Sequence, residues 1–139
     1  MTVRTARHRF IEHTGELELH LEAPNFASLL EEAARALADI MAEDAGGRPT
    51  AAAEHVALAA ADRESLLVDW LNELVYRADV GKHVYGDVHV ERADDRHLQA
   101  TLRGRDPTSP RTAVKAATWH RLRVRDTPSG LEATVVLDV

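Results

Sequence analysis

A chain of 139 residues, 45% hydrophobic and 29% charged, fits one folded domain with one core, and its 4% aromatic content leaves Leu, Val and Ala to fill that core. Cysteine is absent, which excludes a disulfide scaffold, a thiolate zinc site and a cysteine nucleophile. A formal net charge of −6 argues against broad nucleic-acid binding, because phosphate affinity comes mainly from Lys and Arg.

Residues 7–11 read as a short strand that turns back through residues 12–15. Glu16-Leu17-Glu18-Leu19-His20-Leu21-Glu22 alternates strictly, the pattern of a half-buried strand with its leucines inward. Glu16, Glu18, His20 and Glu22 then share the other face. Asn25 is placed to cap a helix, with Ser28 and Glu31 offering a capping-box alternative. Phe26, Leu29, Leu30, Ala33, Ala34, Leu37, Ile40 and Met41 form that helix's apolar stripe, and Gly46-Gly47 and Pro49 end the unit. A strand is predicted over 55–61. Asp62 caps a second helix whose stripe is Leu66, Leu67, Trp70, Leu71, Leu74 and Val75, stopping near Gly81.

Four β segments follow, at 84–92, 97–105, 114–124 and 131–139. Asp94-Asp95 and Ser129-Gly130 read as turns, and Pro107-Thr108-Ser109-Pro110 as a loop. The order β-β-α-β-α-β-β-β-β favours an α+β fold: a mostly antiparallel sheet with two helices on one face, two layers, a single domain over 1–139. From 103 to 125 the bases Arg103, Arg105, Arg111, Lys115, Arg121, Arg123 and Arg125 face one acid, Asp106, so one basic face is expected. A solvated strand surface accounts for most of these arginines. No apolar run approaches bilayer length, and the first four residues open no apolar leader. A cytoplasmic protein without membrane contact is expected.

The chain has no phosphate-binding loop, no dinucleotide fingerprint and no Gly-x-Ser-x-Gly elbow. Its eight histidines are scattered and none lies on either helix, so a helical zinc pair is excluded. His13 lies beside Thr14 and Glu16 in the first turn, where a site could form. At the other end, Asp138 occupies a strand position unusual for Asp, next to the α-carboxylate expected at Val139. Two negative groups so close repel unless solvated, protonated or bridged, and oxygen ligands suit a hard ion such as Ca²⁺, Mg²⁺ or Mn²⁺; a solvated chain end is the plain alternative. Lys115, flanked by Ala116 and Ala117, could contact a phosphate or carboxylate, or simply belong to the basic face.

Several segments resemble the archease family. His13-Thr14-Gly15-Glu16 is similar to that family's His-Thr-Ala-Asp turn. Leu30-Glu31-Glu32-Ala33-Ala34 resembles its first helix, and the run from Leu66 through Asn72 to Leu74 its second. Val114-Lys115-Ala116-Ala117-Thr118-Trp119-His120 is similar to its Val-Lys-Ala-Val-Thr-Tyr-His segment, and Val135-Val136-Leu137-Asp138-Val139 to its ending. The resemblance covers nearly the whole chain in order. It implies a non-catalytic activator of the RtcB-type RNA ligase, promoting GTP-dependent guanylylation and multiple turnover in tRNA splicing or RNA repair. It also implies a divalent metal held by Glu16, Asp138 and Val139, and a functional lysine at Lys115 meeting GTP or RNA within the ligase complex. Glu16 stands where the family pattern has Asp, and Gly15 where it has Ala. A monomer docking transiently is expected. The alternatives are a chaperone-like module that holds an RNA-modifying client and, less well supported by the residues, a metal-dependent hydrolase.

Overall fold

The alternation of Leu17, Leu19 and Leu21 with acids and histidine yields a strand that buries its leucines and turns its polar side chains outward. A computed structural model describes residues 5–43, 48–107 and 109–139 of the chain. The elements run β1 (Arg7–His13), β2 (Glu16–Ala23), α1 (Phe26–Met41), β3 (Glu54–Ala59), α2 (Arg63–Gly81), β4 (Val84–Ala93), β5 (His97–Arg105), β6 (Ala116–Thr127) and β7 (Gly130–Asp138). The predicted order of elements is found. The first four residues, the expected helix stop at Gly46-Gly47 and Thr108 of the Pro-Thr-Ser-Pro segment lie outside the described residues.

Strands β1 and β2 close on a two-residue loop, Thr14-Gly15, with His13 opposite Glu16. Gly15 supplies the positive φ (74°) that such a tight turn demands. Helix α1 starts at Asn25, whose Oδ1 accepts a 2.8 Å hydrogen bond from the Ser28 amide. The Ser28–Glu31 capping-box alternative is not used, because Glu31 Oε2 accepts from the Val90 amide of β4 at 2.9 Å. Asp62 caps α2 in the same way, accepting from the Ser65 amide at 2.8 Å; that bond lowers its pKa.

The strands are antiparallel, as expected, but they divide between two sheets, β1-β2-β7-β6 and β3-β5-β4. The division follows the segment between β5 and β6. It is tied to the end of α1 by hydrogen bonds from the Arg111 and Thr112 amides to Met41 and Ile40 carbonyls. The chain therefore leaves the β4–β5 hairpin and returns to the other sheet, where β6 forms the edge beside β7. Each helix contacts strands of both sheets: α1 packs on β4, β2 and β1, and α2 on β6, β3 and β4. Their apolar faces merge with Leu19, Leu21, Leu98, Leu102 and Leu137 in one core cluster. Trp70 is wholly buried there, and its indole N–H donates to the Leu30 carbonyl at 2.9 Å, so α2 is fixed to α1 by shape and by a satisfied polar group. At the far side, the Tyr85 hydroxyl donates to Glu54 at 2.7 Å and Arg77 binds Glu54 and Glu73. Burial and the Glu54 carboxylate push the Tyr85 hydroxyl far above its ordinary pKa.

The turn into β7 allows no side chain. Gly130 has φ 149°, and a Cβ there would lie 2.2 Å from the Ala23 carbonyl oxygen at the end of β2. Gly130→Ala is expected to destabilise the protein by about 2–4 kcal/mol, read as a lowered urea midpoint. An unchanged midpoint would contradict the close approach of the β6–β7 turn to β2.

Candidate functional site

Strand β7 is paired on both sides, and this double pairing assembles the site. Asp138 is the partner of Glu16 on β2 and of Ala116 on β6. The Lys115 amide donates to the Asp138 carbonyl at 2.8 Å, and the Val139 amide to the Gly15 carbonyl at 3.2 Å. The four residues singled out in the sequence, Glu16, Lys115, Asp138 and Val139, thus meet at one end of one sheet. Lys115 lies just before β6 rather than within the predicted strand over 114–124. Its ammonium is exposed and has no partner among the described residues.

Helix α2 holds the start of β6. The Ala117 amide donates to Asn72 Oδ1 at 2.8 Å, and Asn72 Nδ2 donates to the Ala117 carbonyl at 3.1 Å. Asn72 takes the place of a neighbouring strand at this edge, satisfying a backbone donor and acceptor that would otherwise lack partners. Thr118 Oγ1 donates to the Val136 carbonyl at 2.9 Å. Beyond Thr118 the register breaks: residues 119–122 are extruded opposite Val135 alone, before Arg123 pairs with Thr134. Arg121, within the extrusion, has φ 53°, a left-handed conformation costly for a residue with a Cβ.

That conformation returns the Arg121 guanidinium to the acids of β2, 3.6 Å from Glu16 Oε2 and 3.8 Å from Glu18 Oε2. Glu18 also meets His13 Nε2 and His20 Nε2, each at 3.2 Å. Its pKa is lowered, chiefly by the His13 hydrogen bond, with Arg121 and His20 adding to the effect and burial opposing it. His13, expected beside Glu16, is therefore engaged by Glu18. Asp138 is exposed and has no ion-pair partner among the described residues.

In kind, the carboxylates of Glu16 and Asp138 are oxygen donors that suit a hard cation. Among the described residues, no three His, Cys, Asp or Glu side chains converge as a metal cage. Two further residues shape the site, Arg121 and Asn72. Arg121 was one member of a basic run, with no glycine or proline to mark the extrusion that aims it. Asn72 was visible as a polar residue inside an apolar helical run, between Leu71 and Leu74, and that is the signal that could have found it.

The archease protein family model matches residues 8–139. The chain belongs to the archease family. It is 34% identical to the archease of Archaeoglobus fulgidus over 96% of this chain and 99% of that protein. It is 30% identical to the archease of Methanosarcina acetivorans over 96% of each. The solution structure of a Methanobacterium thermoautotrophicum protein, 28% identical, matches with a TM-score of 0.75 over 95% of this chain and 98% of the other. An archease crystal structure from Thermotoga maritima, 21% identical, shares the fold with a TM-score of 0.66 over 93% of this chain and 94% of the other. Among the described residues, no helix is long and apolar enough to cross a membrane.

Replacing Asn72 with Leu should strand the Ala117 amide and carbonyl. The expected outcome is a loss of about 1–3 kcal/mol in stability and faster hydrogen exchange at the Ala117 amide than in the rest of β6. Unchanged protection at Ala117 would show that Asn72 does not hold the strand.

Proposed function

We propose that the protein is a non-catalytic, cytoplasmic accessory protein of an RtcB-type RNA ligase. In this reading it promotes GTP-dependent guanylylation and multiple turnover of the ligase in tRNA splicing or RNA repair. Glu16, Asp138 and Val139 hold a divalent metal ion, Ca²⁺ or else Mg²⁺ or Mn²⁺, and Lys115 is the residue on which activation depends. The protein acts as a monomer that docks transiently.

One observation carries the reading: the backbone bond from Lys115 to Asp138, in the same row as the Glu16–Asp138 pair. It ties a free ammonium to the end of β7 that carries the Asp138 carboxylate, through a bond that does not consume either side chain. Like charges held about 4 Å apart repel by about 1 kcal/mol in water and by more where water is excluded. The bound ion would offset that repulsion and hold the end of β7. The chain's own residues do the rest. Asn72 fixes the strand that carries Lys115, the Glu16–Asp138 register fixes the carboxylates beside it, and Lys115 offers its charge to a phosphate of GTP or RNA in the complex. Arg121 faces Glu16 at 3.6 Å across exposed surroundings. An ion pair of that kind contributes about 0–1 kcal/mol, so a divalent ion can displace it. Nothing in the site pairs a nucleophile with a general base, which is why the chemistry is assigned to the partner.

The test is a guanylylation assay with an RtcB-type ligase, GTP and divalent metal, with substoichiometric amounts of this protein. The expected result is faster GMP transfer and multiple turnover, with Lys115→Ala and Asp138→Asn each lowering stimulation about tenfold or more. Stimulation equal to the parent in both variants would contradict the site assignment. No stimulation by a folded protein would contradict the function and favour a module that holds a client protein.

A further inference from the structure

The outward face of the four-stranded sheet is crossed by rows of paired residues that differ in how their charge is spent. One row runs Arg7, Glu22, Glu132 and Arg125. It neutralises itself, since Arg7 binds Glu22 at 2.7 Å and Arg125 binds Glu132. Another row contains Glu18, whose carboxylate is taken by His13, His20 and Arg121. Between them runs Arg9, His20, Thr134 and Arg123. This row has no acid. Among the described residues, Arg9 and Arg123 have no hydrogen-bond or ion-pair partner, and both are exposed.

Arg9 lies on one edge strand and Arg123 on the other, three strand spacings apart, or roughly 14 Å. That separation is too wide for one phosphate and suits an extended polyanion. On β6, four residues from Arg123, Trp119 is 61% exposed, although a tryptophan on a folded surface normally buries most of its ring. Lys115, also exposed and without a partner among the described residues, precedes the same strand. Free guanidiniums at the two edges of a sheet face, with an uncovered indole on one of the same strands, form a combination suited to single-stranded nucleic acid: charge tracks the backbone and the aromatic ring stacks a base.

We infer that this face binds single-stranded RNA directly, with Arg9 and Arg123 on phosphates and Trp119 stacked on a base. The choice of RNA over DNA rests on the proposed role beside an RNA ligase; the surface itself does not depend on that role. Binding is weak and sensitive to salt, because the chain as a whole carries a net charge of −6 and only a local row attracts the strand.

The experiment is fluorescence anisotropy of a labelled single-stranded oligouridine of about 12 nucleotides titrated with the intact protein. Salt is varied between about 50 and 200 mM. The expected result is salt-dependent binding. In the Arg9→Ala/Arg123→Ala double variant, affinity falls about tenfold or more and the salt slope shrinks by about 1.4. Trp119→Ala weakens binding about tenfold with an unchanged salt slope, and Arg7→Ala, which breaks a self-neutral pair, has little effect. Undetectable binding by the folded protein, or equal binding by parent and double variant, overturns the inference. So does a double variant that loses ligase stimulation but keeps RNA affinity, which would make the face a dock for an acidic protein surface. RNA binding without ligase stimulation would sustain this inference and defeat the proposed function, so the two fail separately.

Discussion

Everything at the candidate site depends on the register of β7. This strand is held on both sides, by β2 and by β6, and its partners at Asp138 are Glu16 and Ala116. A strand has a side-chain period of two, so a slip of one residue would turn Asp138 toward the core and Leu137 to the surface. Leu137, Val135 and Ala133 are buried with Leu17, Leu19 and Leu21 of β2, so the core opposes any slip. The Gly130 turn, pressed against the Ala23 carbonyl, blocks movement at the other end. Packing far from the site thus decides which carboxylates meet there.

The charges at that end are arranged so that some are spent and some are not. Glu18 is surrounded by His13, His20 and Arg121 and is held in its charged form. Glu16 is touched only at the limit of an ion pair, by an arginine whose backbone is strained to reach it. Asp138 and Lys115 remain open to an incoming group. Long, exposed ion pairs contribute little to stability, so the distances favour a surface that can exchange its internal counter-ion for an external one. The same accounting separates the self-neutral row of Arg7 and Arg125 from the uncompensated row of Arg9 and Arg123.

Much of the architecture was legible in local pattern. Leu17, Leu19 and Leu21 marked β2, the two apolar stripes marked the helices, and Asn25 and Asp62 cap them as expected. What local pattern could not carry was pairing at a distance. The split into two sheets depends on the bonds from Arg111 and Thr112 to the end of α1. Thr134 and Val136 are paired with the outward-facing His20 and Glu18, yet both are buried because an interior strand is flanked on both edges. The strand predicted over 114–124 begins instead at Ala116, where Asn72 captures the backbone, and runs to Thr127 through an extrusion that no turn residue announces. Glu16, Lys115, Asp138 and Val139 were named as a group only through resemblance to the archease family. Residue by residue, a solvated chain end was the preferred reading of Asp138 and Val139, and a surface lysine stayed open for Lys115.

In the proposed function, the end of β7 gathers an oxygen site for a divalent ion. Paramagnetic broadening by substoichiometric Mn²⁺ in amide NMR spectra tests it most directly. Signals of Gly15, Glu16, Lys115, Asp138 and Val139 are expected to broaden first and to recover on adding Ca²⁺. Broadening centred on another acidic segment, such as the Asp94-Asp95 turn, or none at these five amides, would contradict it.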